Sequence, residues 1–135
     1  MAAGERRSTA PSTRPEEHRA LEGLLDGLLA SIRSGDGLVE SFRRSAALAA
    51  AHYRREAGFL ERLSQSEPAL AARITAQHAE AMEIAARLDE AIAAGQQPDV
   101  LSLARRFHAI AQHNIIEEER DVFPLAARCF QEPNS

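Results

Sequence analysis

Two copies of one spacing, His52-Tyr-Arg-Arg-Glu56 and His113-Asn-Ile-Ile-Glu117, carry the clearest chemical content of this chain. On an α-helix residues four apart share a face, with Cβ atoms about 5–6 Å apart, so each pair can offer an imidazole and a carboxylate to one metal ion. The same spacing also makes an ordinary surface ion pair worth about 0.2–0.5 kcal/mol. What separates the two readings is where these residues, and the lone histidines His18 and His78, fall along the elements that carry them.

Punctuation and period give four helices. The first starts after Pro15 and carries His18, Leu21, Leu25, Leu28 and Ile32 at steps of three and four, until Ser34-Gly-Asp-Gly37 breaks it. The second runs from about Leu38 to Ser64 with Phe42, Ser45, Ala49, His52, Glu56, Phe59 and Leu63 on one stripe. The third opens at Ser66-Glu-Pro68, with Ser66 as the expected cap, and shows Ile74, His78, Ala81, Ala85, Leu88 and Ile92 before Gly95. The fourth opens near Pro98, carries Leu103, Phe107, Ile110, His113 and Glu117 as its inward stripe, and meets Pro124, which must kink or end it. Short loops between four such helices predict an all-α, antiparallel, up-down-up-down four-helix bundle. It spans residues 15–130, between tails at 1–14 and 131–135.

Composition agrees with that class. A chain of 135 residues with 44% hydrophobic content is one domain, and its 4% aromatic content with abundant alanine favours close-packed helices over a sandwich. Sixteen arginines interleave with twenty acids to a net charge of −4, so no basic patch invites nucleic acid. The longest apolar stretch, around Ser45 to Ala51, is far below the roughly 20 residues that span a bilayer, so no membrane partner is expected. Met1 to Pro15 lacks an apolar leader, and the single Cys129 suits a reducing compartment, which together predict a cytoplasmic protein.

Counting from the turns brings the histidines level. With turns near residues 35, 66 and 96, His18 lies 17 residues before the first and His52 17 after it, while His78 lies 18 before the third and His113 17 after. Four imidazoles then share one layer, with Glu56 and Glu117 one turn further along. Isolated core histidines would bury polar groups without partners, and bundle packing gives them no reason to coincide in height. Four imidazoles and two carboxylates exceed a tetrahedral zinc site and include no thiolate. They suit two hard or borderline ions bridged by carboxylate, with a non-haem di-iron centre the best fit. Glu118 and Glu119 are read as facing solvent or supporting hydrogen bonds around the centre, although a small change of register would turn Glu118 inward in place of Glu117. Tyr53, the sole tyrosine, is either a phenolate donor beside the metal layer or an aromatic at the bundle edge. His108, five residues from His113, is read as an ordinary helix-surface or bundle-edge residue.

The words Glu17-His18-Arg-Ala-Leu21, His52-Tyr-Arg-Arg-Glu56, Gln77-His78-Ala-Glu80 and His113-Asn-Ile-Ile-Glu117-Glu-Glu-Arg-Asp-Val-Phe-Pro124 resemble the hemerythrin-like, or HHE cation-binding, domains of the single-domain bacterial type. The resemblance covers about residues 15–128. It implies a bundle holding two iron ions through His18, His52, Glu56, His78, His113 and Glu117, the two glutamates bridging. Oxygen-carrying members use a fifth histidine one turn from the third-helix ligand, where this chain has Ile74 and Met82. The expected activity is therefore reaction with a small ligand, O2, H2O2 or NO, chiefly catalase-like dismutation of hydrogen peroxide under oxidative stress. The alternative is a sensing, storage or carrier module without turnover, with its protein partner open.

Overall fold

The protein, seen in a computed structural model that describes residues 14–125, is an all-α four-helix bundle, and among the described residues no strand occurs. The helices are α1 (Arg14–Ser34), α2 (Leu38–Ser66), α3 (Pro68–Ala94) and α4 (Gln97–Glu117), the last running on through a π-helical turn at Glu118–Val122. Arg14, expected in the tail, already begins α1; residues 1–13 and 126–135, which include Cys129 at the expected end of the bundle and the expected tail at 131–135, lie outside the described residues.

Each turn follows from its local chemistry. Gly37 precedes α2 at φ 68°, a left-handed conformation that costs glycine nothing. Gly95 closes α3 at φ 71°, and the amides of Gly95 and Gln96 return to the carbonyls of Ile92 and Ala91, so the last carbonyls are satisfied. Between α2 and α3 the cap differs from expectation. Ser66 is the last residue of α2, Glu67 takes the cap position without a side-chain bond, and Pro68 supplies the first turn of α3, where its missing N–H is no loss.

The inward stripe of α2 is the one the sequence predicts: Phe42, Ser45, Ala49, His52, Glu56, Phe59 and Leu63 are all buried. On α3 Ile74, His78, Ala81, Ala85 and Leu88 are buried, with Ile92 packed against the core. Along α1 and α2 the contacts His18 to His52, Leu24 to Ser45 and Ser31 to Ser41 show one residue number rising as the other falls, the order of helices joined by a tight reversal. The core is divided. A long cluster from Leu21 and Leu25 through Phe42 and Phe107 fills most of the bundle, and a smaller one of Phe59, Leu60, Leu63, Ala71, Ile74 and Val122 closes one end. Polar groups lie between them.

Helix α4 corrects the prediction. Its buried stripe is Val100, Ala104, Phe107, Ala111, Asn114 and Ile115, continuing into Glu118 and Val122 of the π turn. The expected stripe shares only Phe107. Leu103 and Ile110 are partly buried flanks, whereas Ala104 and Ala111, at 0% exposure, let the neighbouring backbones approach closely. Pro124 does not break the helix within the described residues, which stay helical to Leu125. A widened turn precedes it, in which the Phe123 amide bonds the Glu118 carbonyl five residues back, and such a bulge relieves the clash of a proline ring with the turn before it.

Candidate metal centre

Between the two core clusters, His18 of α1, His52 and Glu56 of α2, and Glu118 of the π turn bring donor atoms within 4.8 Å of one another, all buried. His18 and His52 point their Nε2 atoms at each other across 3.1 Å. Their outer nitrogens are held from behind: Nδ1 of His18 bonds Glu119 at 3.1 Å, and Nδ1 of His52 bonds Glu17 at 2.7 Å, with Arg55 steadying Glu17 at 2.8 Å. A carboxylate only accepts, so each Nδ1 donates its hydrogen outward, and the inward Nε2 of a neutral ring is a lone pair. Two lone pairs aimed at one point call for a cation between them. Carboxylates behind imidazoles are how proteins orient histidine ligands.

His78 of α3 completes the group from the other side. Its Nε2 lies 2.7 Å from Glu118 Oε2 and 3.5 Å from Glu56 Oε1. The remaining oxygens face the first pair of imidazoles: Glu118 Oε1 is 2.9 Å from His18 and 3.6 Å from His52, and Glu56 Oε2 is 3.2 Å from His52. Each carboxylate thus turns one oxygen to the His18/His52 side and the other to the His78 side. Phe123 covers His18 at a ring separation of 4.8 Å, and Tyr53 stacks on His78 at 3.9 Å.

Electrostatics follow from crowding and dryness. Burial opposes the imidazolium of His52, but hydrogen bonds and Coulombic attraction from Glu118 and Glu56 outweigh it and lift its pKa to about 10. Burial likewise opposes the carboxylate of Glu118, yet hydrogen bonds from His18, His52 and His78 hold its pKa well below the ordinary range. In the metal-free protein a proton stands where a cation fits. Tyr53 goes the other way: burial, then the charges of Glu118 and Glu56, raise its phenol pKa, and its hydroxyl has no hydrogen-bond partner among the described residues.

The structure brings together His18, His52, Glu56 and His78 with Tyr53 beside them, and leaves out His113 and Glu117. His113 is 55% exposed and pairs with Glu117 at 3.0 Å on the surface, so this second copy of the spacing is the simple ion pair. Glu117 accepts from Gln77 and Arg73, and both bonds, in that order, lower its pKa; Gln77 in turn accepts from buried Asn114. That outer network holds α4 with Asn114 inward and His113 outward, and Glu118, four residues past Asn114, follows it in. Three imidazoles share the layer, not four. Sequence reasoning gave Glu118 and Glu119 the lesser roles; the signal for Glu118 was the Phe107, Ala111, Asn114 rhythm, which reaches it and misses Glu117. Glu17 was legible only as the neighbour of a proposed ligand. His108 is half-buried away from this group, where burial lowers its pKa against an opposing pull from Asp26.

The donors fit a metal by type as well as by convergence. Imidazole and carboxylate without thiolate suit hard or borderline divalent and trivalent ions. Comparison with known proteins finds no matching family model, no matching curated protein and no matching solved structure. No helix among the described residues is long and apolar enough to cross a membrane.

Proposed function

We propose that this chain is a non-haem di-iron protein of the hemerythrin-like kind, and that it disproportionates hydrogen peroxide. The observation that carries the reading is the division of Glu56 and Glu118, each with one oxygen toward His18 and His52 and the other toward His78. A carboxylate so divided suits two ions rather than one. His18 and His52 would hold one iron and His78 the other, with Glu56 and Glu118 shared. A pair of irons supplies two-electron steps, so that two H2O2 become two H2O and one O2: one peroxide takes two electrons and the other gives them back.

The surrounding residues have their own tasks. Glu119 and Glu17 fix the rings of His18 and His52 and strengthen them as donors. Phe123, Val122 and the Phe59 cluster keep bulk water from that side. The His78 side has fewer imidazoles, and there Tyr53 offers one more oxygen. Its raised pKa keeps the phenol protonated without a cation, and a ferric ion reverses that preference. Two anionic carboxylates beside only three imidazoles give a donor set that favours the ferric state, which argues against reversible oxygen carriage.

The test is oxygen evolution from peroxide by the iron-loaded protein at an oxygen electrode, alongside the Tyr53→Phe variant. The proposal expects catalytic oxygen release and a visible phenolate-to-iron band that disappears in Tyr53→Phe. Stoichiometric bleaching without oxygen, or a long-lived reversible oxygen adduct, overturns the peroxide reading.

A further inference from the structure

The outer faces of α2 and α3 form a shallow open groove of about 830 Å³ whose lining is mostly apolar, with Tyr53 and His78 among the residues along it. Along α2 the exposed lining residues Arg54, Ala57 and Glu61 follow a four-three heptad step, and along α3 Ala72, Thr75 and Ala79 do the same. That step is the period of a seam for another helix, and it lies opposite the stripes that build this bundle's own core. The alanines keep the surface low enough for a second backbone to come close.

We infer that the groove is the interface of a two-fold dimer of this chain. The face is self-complementary. A two-fold axis across the helices pairs each residue with one equally far on the other side of the crossing point. Arg54 and Glu61 lie three and four residues from Ala57, and Ala72 and Ala79 lie three and four from Thr75. The two centres are level: Tyr53 and Glu56 meet His78, so Ala57 stands opposite a residue about one turn before it, at Thr75. One axis therefore serves both helices. It sets Arg54 against the partner's Glu61 and Glu61 against the partner's Arg54, with small residues meeting between them. Neither Arg54 nor Glu61 has an ion-pair partner among the described residues, so both charges are available. The second copy covers Tyr53 and His78 and closes the flank of the centre that this chain alone leaves beside an open groove. The inference does not depend on which metal binds, or on whether one does.

Sedimentation equilibrium of the full chain, over a dilution series and with and without chelator, tests it. The wild type is expected at twice the chain mass at micromolar concentration. Arg54→Glu sets like charges against each other twice across the axis and weakens the dimer at least tenfold, whereas Arg54→Glu with Glu61→Arg restores it. Ala57→Arg brings two cations together at the axis and gives a monomer. Because these side chains are exposed, circular dichroism should show every variant as helical as the wild type. A wild-type monomer at 100 μM overturns the inference, and binding of an apolar dye to that monomer would assign the groove to a small molecule instead. A dimer indifferent to Arg54→Glu, or one that the double exchange fails to restore, overturns it too.

Discussion

Glu118→Gln keeps the size of the side chain and removes its charge, and the structure sets what that costs the metal-free protein. Glu118 is 1% exposed and lies 2.9 Å from His18, 2.7 Å from His78 and 3.6 Å from His52. A hydrogen bond to a charged group contributes about 1.5–3 kcal/mol. Glutamine keeps one acceptor and turns an NH2 toward the other imidazole, so one of the two short bonds is lost together with the attraction to His52. The expected loss is about 2–4 kcal/mol, near the roughly 3–5 kcal/mol for breaking a buried ion pair from one side. At about 4 °C per kcal/mol, Tm falls by about 8–16 °C. Glu117→Gln is the control one residue away. Glu117 is partly buried, but glutamine keeps an acceptor for Gln77 and the ion pair it gives up is with the half-exposed Arg73, so its loss costs about 0–1 kcal/mol and less than about 4 °C. Thermal melts followed by circular dichroism in chelator measure both, and elemental analysis after ferrous loading should show iron lost from Glu118→Gln and kept by Glu117→Gln. Equal effects, or the reverse order, would refute the register assigned to α4.

Three further outcomes follow from the same geometry. His18→Ala should lose most of its iron while His113→Ala keeps it, measured by elemental analysis; parity between them would contradict the three-imidazole layer. Chelation should lower the melting temperature, because gathered donors go unsatisfied without a cation, and identical melts with iron loss verified would oppose this. The pH profile of the metal-free protein has a definite sign. Stability from His52 is fully present below its unfolded value of 6.5 and is lost as pH rises through about 10. Stability from Glu118 is present above 4.5 and is lost as pH falls through its lowered folded value. Chemical denaturation of metal-free protein should thus show a maximum between about pH 4.5 and 6.5, with metal affinity rising with pH as the His52 proton is displaced. A stability that climbs from pH 7 to 10 would contradict it.

The fold was legible because α1, α2 and α3 put apolar residues and ligand-type residues on the same stripe, so one period identified both. The face of α4 was not, because bulk misled: Leu103 and Ile110 outweigh Ala104 and Ala111 in any count of hydrophobicity, yet close helix packing prefers the alanines. A repeated His-x-x-x-Glu strengthened the error, since the spacing describes a helix face and says nothing of which way the face points. Glu118 could have been found by following Phe107, Ala111 and Asn114 forward. Glu119, which holds His18, was one of the residues read as facing solvent or supporting hydrogen bonds around the centre, whereas Glu17 could not be assigned to His52 because it reaches that ring from another helix that only the folded chain brings alongside.

The central claim is a carboxylate-bridged pair of metals, and the direct measurement is the iron retained per chain after anaerobic ferrous loading and desalting, with its magnetic behaviour after oxidation. The account predicts about two irons per chain whose spins couple through the shared Glu56 and Glu118, falling sharply in Glu118→Ala. One uncoupled iron per chain, or none, would contradict it.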